Sequence, residues 1–280
     1  MIQIRFIYPG ILLSAFAFLL ITGCKKDDKT DNDTQSAVDN AFAQGIYDEV
    51  STMSDQAHET GALYGYRGAS TEGSLLSQCA TVTVDTAGSP KHITIDFGTT
   101  NCACADGRNR RGKVLVAYSG GYRDSASNYT ITFDGYYVND YHVEGTKTVT
   151  NKGTNASGNK WFGINVNGTI TAPGGQVLTW TSQRQREWVA GESTLLNWLD
   201  DVYHITGTAS GTSFAGVSFT ASITSPLVVA LNCYWIKDGV LEFTPSGIQT
   251  RVINYGYQNG TCDNKAEVTI GSNSYIITLR

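Results

Sequence analysis

From Cys79 to the C-terminus the chain alternates apolar and polar residues with a period of two, and that regularity restricts the region to β structure. Successive side chains of a strand point to opposite faces, so repeated short alternating segments describe a sheet with one dry face and one wet face. Segments 79–84 and 93–97 flank the turn signal Ala87-Gly88-Ser89-Pro90 and read as a hairpin. After a loop over 98–112, which holds two close cysteines and an Asn-Arg-Arg group, the pattern predicts strands at 113–119, 129–133, 136–150, 161–171, 177–186, 202–209, 217–223, 227–235, 240–244, 250–255, 265–270 and 275–279. Asp134-Gly135, Asn167-Gly168, Asp238-Gly239 and Asn259-Gly260 supply turns or bulges. Thr146, Thr148 and Thr150 mark the wetter face of one long strand. The 30 glycines and 15 tyrosines against 2 methionines suit strands joined by tight turns. The expected fold is therefore mainly β: an extended antiparallel twisted sheet or a sandwich-like meander.

A loose internal echo runs through this region. Tyr141-His142-Val143-Glu144-Gly145-Thr146 is similar to Tyr203-His204-Ile205-Thr206-Gly207-Thr208, and Ile164 to Thr169 has the same shape. It reads either as a hairpin repeat or as the monotony of β composition.

One helix is expected, at about 40–59. Phe42, Ile46, Val50, Met53 and Ala57 recur at helical spacing and share a face, with Asp39 or Asn40 as the cap. Gly45 weakens it, and Gly61 with Gly65 ends it. The helix should lie across a face or end of the sheet, and residues 41–280 read as a single β-rich domain.

The N-terminus carries a different signal. Arg5 is the only charged residue before Lys25, and residues 11–21 form an apolar run broken by one serine. Such a run is short of the ~20 residues a spanning helix needs and has the character of a signal-peptide core. Gly23-Cys24 follows directly and resembles the lipobox of bacterial lipoproteins. The resemblance implies cleavage between Gly23 and Cys24, removal of residues 1–23, and acylation of Cys24 with palmitate-type chains. More than one acyl chain suffices for stable membrane attachment. Residues 24–40 are expected to form the lipidated cysteine and a disordered polar tether. The opening Cys24-Lys25-Lys26-Asp27-Asp28 is similar to the signal that sends many Bacteroidota lipoproteins to the outer face of the outer membrane. The expected location is thus across the inner membrane, lipid-anchored at the outer membrane, with surface exposure. A net charge of −5 offers no basic field for phosphates, so nucleic acid is not an expected partner.

Six cysteines fit an oxidising compartment, and with Cys24 lipidated an odd number remains. Cys233 is expected to pair with Cys262, since both lie near strand ends. A second bond is expected from Cys79 to Cys102 or Cys104, because 102 and 104 are poorly placed to bond each other in an extended segment.

Motifs that would carry catalysis do not stand out. His58, His92, His142 and His204 form no HExxH pattern, and no GxSxG is present. The Cys102/Cys104 pair lacks a second close pair for a metal site. Asp96, Asp134, Glu144, Glu187 and Glu192 are eligible as a glycosidase carboxylate pair, but nothing selects two of them. Asp106, Asn109, Asp263 and Asn264 offer oxygen ligands to calcium without the spacing of a calcium loop, and Asx-turns account for them more simply. The polar cluster at 181–192, with Arg184, Arg186 and Glu187 beside Trp188, reads as a surface ion-pair network on a solvated strand edge. Aromatics are the better candidates for binding: Tyr136, Tyr137, Tyr141, Trp188, Tyr255 and Tyr257 could stack on sugar rings or fill a partner's pockets if exposed, or pair across strands inside the sheet.

Several stretches resemble uncharacterised cell-envelope lipoproteins of Bacteroidota: Ile93 to Gly98, Arg111-Gly112-Lys113, Tyr137-Val138-Asn139, Glu144-Gly145-Thr146, Thr179-Trp180, Glu187-Trp188 and Cys262-Asp263-Asn264. The resemblance implies localisation and a single domain, and attaches no activity or catalytic residue. The expected function is a membrane-anchored, non-enzymatic binding or structural component of the cell surface, needing no cofactor and engaging glycan or another envelope protein. A polysaccharide-acting envelope hydrolase is the alternative.

Overall fold

A computed structural model describes residues 31–63, 80–104, 106–194 and 197–279, and from Asp31 onward the chain forms one compact unit. Gly23, Cys24 and Cys79 lie outside the described residues. The strands are β1 (Thr81–Asp85), β2 (Lys91–Asp96), β3 (Cys102–Ala103), β4 (Asn109–Tyr118), β5 (Asn128–Val138), β6 (Tyr141–Thr154), β7 (Lys160–Thr171), β8 (Val177–Ala190), β9 (Val202–Thr212), β10 (Ser218–Ala230), β11 (Asp238–Pro245), β12 (Arg251–Asn254), β13 (Lys265–Ile270) and β14 (Asn273–Thr278). They form one 14-stranded antiparallel sheet in which, β3 aside, each strand pairs with its neighbours in sequence; β3 is attached to β4. The sheet is an open meander with β1 and β14 at its two ends, not a closed barrel. Of the two expected architectures, the extended sheet is the one formed.

Helix α1 (Gln35–Leu63) lies against the inward face of this sheet and is enclosed by it on almost every side. It starts earlier than the apolar spacing predicts. Its first intrahelical bond runs from the Val38 amide to the Thr34 carbonyl, and Asp33 Oδ1 accepts the Gln35 amide at 2.9 Å. The segment 35–40 is therefore helical and mostly buried, not tether, and Asp39 and Asn40 are not caps. Asp39 accepts the Phe214 amide (3.1 Å), and Asn40 accepts the indole N–H of Trp180 (3.0 Å). The polarity of this stretch reflects bonds to β8 and to the β9–β10 turn, where the sequence alone suggests solvation.

Glycines allow the sheet to curl around the helix. Gly145 and Gly207, the matching glycines of the echo, both adopt left-handed backbone (φ 116° and 115°), and a Cβ on either would lie 2.2 Å from a carbonyl oxygen of the adjacent strand. The echo thus marks equivalent bends in β6 and β9, where only glycine tolerates both the conformation and the close approach. Gly168 serves the helix instead, since a Cβ there would strike the Tyr47 ring. The notch admits Tyr47, whose hydroxyl donates to the Glu144 carbonyl (2.8 Å) and whose ring stacks on Trp180 at 5.7 Å.

The alternation of β8 shows what the sheet's two faces are. Leu178, Trp180, Ser182, Arg184, Arg186 and Trp188 point inward and are buried, while Thr179, Thr181, Gln183 and Gln185 point outward. β8 is the middle of the sheet, so the expectation of a solvated edge at 181–192 is corrected. Its arginines look solvent-facing in the sequence because their partner, a polar helix, is distant in the chain. The 98–112 segment is corrected likewise: it contains β3 and the start of β4, and Arg108 and Arg110 are buried.

Candidate ligand-binding site

Six basic residues of the inward face are buried, and each meets the helix or its leading segment or a group packed against them. Arg251 donates to Asp31 Oδ1 (2.6 Å) and to the Asp33 carbonyl, holding the helix start. Arg184 donates to the Gly207 carbonyl (2.9 Å) and to Gln44. Lys147 donates to the Tyr47 carbonyl (2.6 Å) and lies 3.5 Å from Asp48. Arg108 pairs with Glu49 at 2.8 Å; Arg110 pairs with Glu49 and with Asp106. Arg186 pairs with Asp55 at 3.1 Å and donates to the Tyr122 hydroxyl. Burial costs these cations solvation, which is why each has a carboxylate, a carbonyl or an amide oxygen in place of water. At Lys147 burial outweighs Asp48 and lowers the ammonium pKa to about 8. Burial likewise raises the Asp106 carboxyl and lowers the Arg110 guanidinium.

One stripe of the helix is left partly open: Ala41, Gly45, Asp48, Thr52 and Asp55. Facing most of it is the β10–β11 connection, residues 231–237. This connection is closed by the bond from the Lys237 amide to the Val228 carbonyl (2.9 Å) and tied to a distant loop by the Cys233–Cys262 disulfide. Between the two lies a cavity of about 120 Å³. Its floor is Ala41, Gly45, Asp48 and Thr52; its walls are Val229, Leu231, Trp235, Ile236, Tyr255 and Leu279. Arg108 closes one side, lying between Glu49 and the ring of Tyr234 (4.5 Å to the centroid). The Tyr255 hydroxyl is buried and has no hydrogen-bond partner among the described residues.

Comparison with protein-family models, curated proteins and solved structures gave no match.

The residues singled out from the sequence are distributed unevenly around this cavity. Tyr136, Trp188 and Tyr255 are buried, and Tyr137, Tyr141 and Tyr257 are half-buried, so the six do not form an exposed platform. Trp188 donates to Asp201 (3.1 Å) and belongs to the core; Tyr141 packs on Phe42, and Tyr137 stacks on His142 under Arg111. Of the six only Tyr255 lines the cavity. The five eligible carboxylates do not converge there either. Asp96 lies beside Lys113 (3.5 Å), Glu144 beside His142 (3.4 Å), Glu187 accepts from Asn155 and Asn159, Glu192 pairs with Lys160, and Asp134 is exposed. Asp106 is engaged by Arg110. Asn109 takes part in backbone bonding to Asn139, and Asp263 makes an Asx-turn to the Lys265 amide, while the Asn264 carbonyl accepts the Leu279 amide. Cys102 is disulfide-bonded, and Cys104 keeps a buried thiol that donates weakly to the Cys102 carbonyl.

Sequence reasoning missed Gly45, Asp48, Glu49, Arg108 and the 231–237 connection. No local signal marked them, since polar residues such as Asn40, Gln44, Asp48, Glu49 and Asp55 on the faces away from the apolar stripe are what a solvated helix also carries.

Proposed function

We propose that this chain is a lipid-anchored envelope protein of the Bacteroidota lipoprotein type, non-enzymatic, that binds a small molecule in the cavity between helix α1 and the β10–β11 connection. The observation that carries the reading is the cavity itself: apolar walls around one unpartnered polar group, beside ionisable side chains already engaged in pairs. Concave, largely apolar sites with few polar groups are the usual form of small-molecule sites. Glu49 and Asp48, the carboxylates nearest the cavity, are held by Arg108, Arg110 and Lys147. That engagement favours binding over acid–base work. The lipobox-like Gly23-Cys24 junction supports the anchor.

The test is extraction of the protein purified from its native envelope with organic solvent, followed by mass spectrometry. A co-purifying molecule present with the native chain and absent with Gly45→Leu supports the reading; identical extracts from the two overturn it. In the same preparation Cys24→Ser should move the protein from the membrane to the soluble fraction, and unchanged membrane retention with intact lipid would remove the anchor from the proposal.

A further inference from the structure

We infer that the cavity takes an uncharged, largely apolar molecule of about single-ring size that carries one oxygen acceptor. This rests on the binding reading above and adds the chemistry of the ligand. Three independent observations lead to it.

The first is size and lining. The cavity measures about 120 Å³, near the ~150 Å³ of an engineered apolar cavity that binds benzene. Leu231, Trp235 and Ile236 supply an apolar wall on the side opposite the helix.

The second is Gly45. Glycine inside a helix costs about 0.5–1 kcal/mol relative to alanine. At Gly45 the protein gives no steric reason for it, since an added Cβ would meet nothing within 4 Å and the backbone is ordinary helix. Within this partly open stripe, open space is kept over a residue that contributes no side chain. The glycine preserves the depth of the cavity.

The third is polarity. Asp48 is balanced by Lys147, and Glu49 by Arg108 and Arg110, so the rim presents paired charges and would not attract a free ion. The Tyr255 hydroxyl is different. Tyr255 lines the cavity, and its hydroxyl, in the field of Asp48 and Arg184, is buried with no hydrogen-bond partner among the described residues. Leaving a buried hydroxyl unsatisfied is unfavourable, and its O–H proton calls for an acceptor. Burial raises the phenol pKa, so the group remains a donor at every physiological pH. A carbonyl, ether or hydroxyl oxygen on an otherwise apolar ligand completes it.

The test uses the full-length lipidated protein in detergent and two probes of nearly equal shape, acetophenone and ethylbenzene, each with a para fluorine followed by fluorine NMR. Gly45→Leu protein in the same detergent is the blank for partitioning into micelles. The expected result is saturable binding of both probes, with the ketone about 5-fold tighter, the ratio one neutral hydrogen bond provides. Tyr255→Phe should abolish that preference, so that the two probes bind with equal affinity. Equal binding of both probes, unaffected by Tyr255→Phe, would overturn the acceptor while leaving the binding reading intact. No saturable binding of either probe would overturn both. Tyr255→Phe removes a single oxygen, so its result stands even if Gly45→Leu disturbs folding.

Discussion

A lysine inside the β-sheet, Lys147, departs far from ordinary lysine chemistry. Lys147 is fully buried on β6, between threonines that face the other way. Its pKa in the fold is about 8 against an ordinary 10.5, because burial disfavours the ammonium more than Asp48 favours it. Between those two values the unfolded chain binds a proton that the folded chain does not, so stability rises with pH through that window; below it the full penalty applies. The expected gain is on the order of 3 kcal/mol, and Lys147→Met should lack it. Urea denaturation of both proteins at the two ends of the window checks this: curves that shift in parallel would contradict it. Residues of this kind were hidden in the sequence. Alternation shows which residues share a face, and Lys147 shares one with Val143 and Val149. It does not reveal that the dry face also holds charge, because the compensating carboxylate sits nearly a hundred residues away in another element. Tyr255 was visible as one of a pair spaced by two, and its burial was not.

The strands were the most legible elements, since period-two alternation is a local property, but their bounds were not: Asp134-Gly135 and Asn167-Gly168 lie inside β5 and β7, the expected strand 136–150 spans the β5–β6 turn, and the expected strand 227–235 runs from β10 into the β10–β11 connection. The helix was legible in its centre, where Phe42, Ile46, Val50, Met53 and Ala57 mark a face, and illegible at its start, where the bonds of Asp39 and Asn40 are made to the β9–β10 turn and to β8, far along the chain. The same long-range chemistry docks the helix. Glu49 receives both Arg108 and Arg110, and neither arginine has solvent to replace it. Glu49→Gln keeps the shape and removes the charge, leaving two buried guanidiniums with partial compensation. A loss of about 3–5 kcal/mol is expected, as for other broken buried pairs, read from the denaturant midpoint. A loss under ~1 kcal/mol, the scale of an exposed pair, would show that this cluster does not hold the helix.

At the scale of the whole molecule, a sheet of sequential neighbours curls around one helix without closing, and glycine bends in β6 and β9 make the curl possible. An enclosed helix is seldom enclosed perfectly, and the stripe from Ala41 to Thr52 is where the enclosure is left open beneath the disulfide-tied connection at 231–237. The sequence showed the meander because its order is local. The cavity escaped it because floor and wall come from opposite ends of the chain, and the site glycine looked like a weak point in a helix. The most direct test of the account is hydrogen exchange on protein purified from its native envelope, compared before and after organic extraction and refilling with the fluorinated acetophenone. The account predicts that extraction speeds exchange at 41–52 and 231–237 and that refilling restores protection there, with the β6–β9 centre unchanged. Exchange that is identical in all three states, or that changes only away from those two segments, would contradict it.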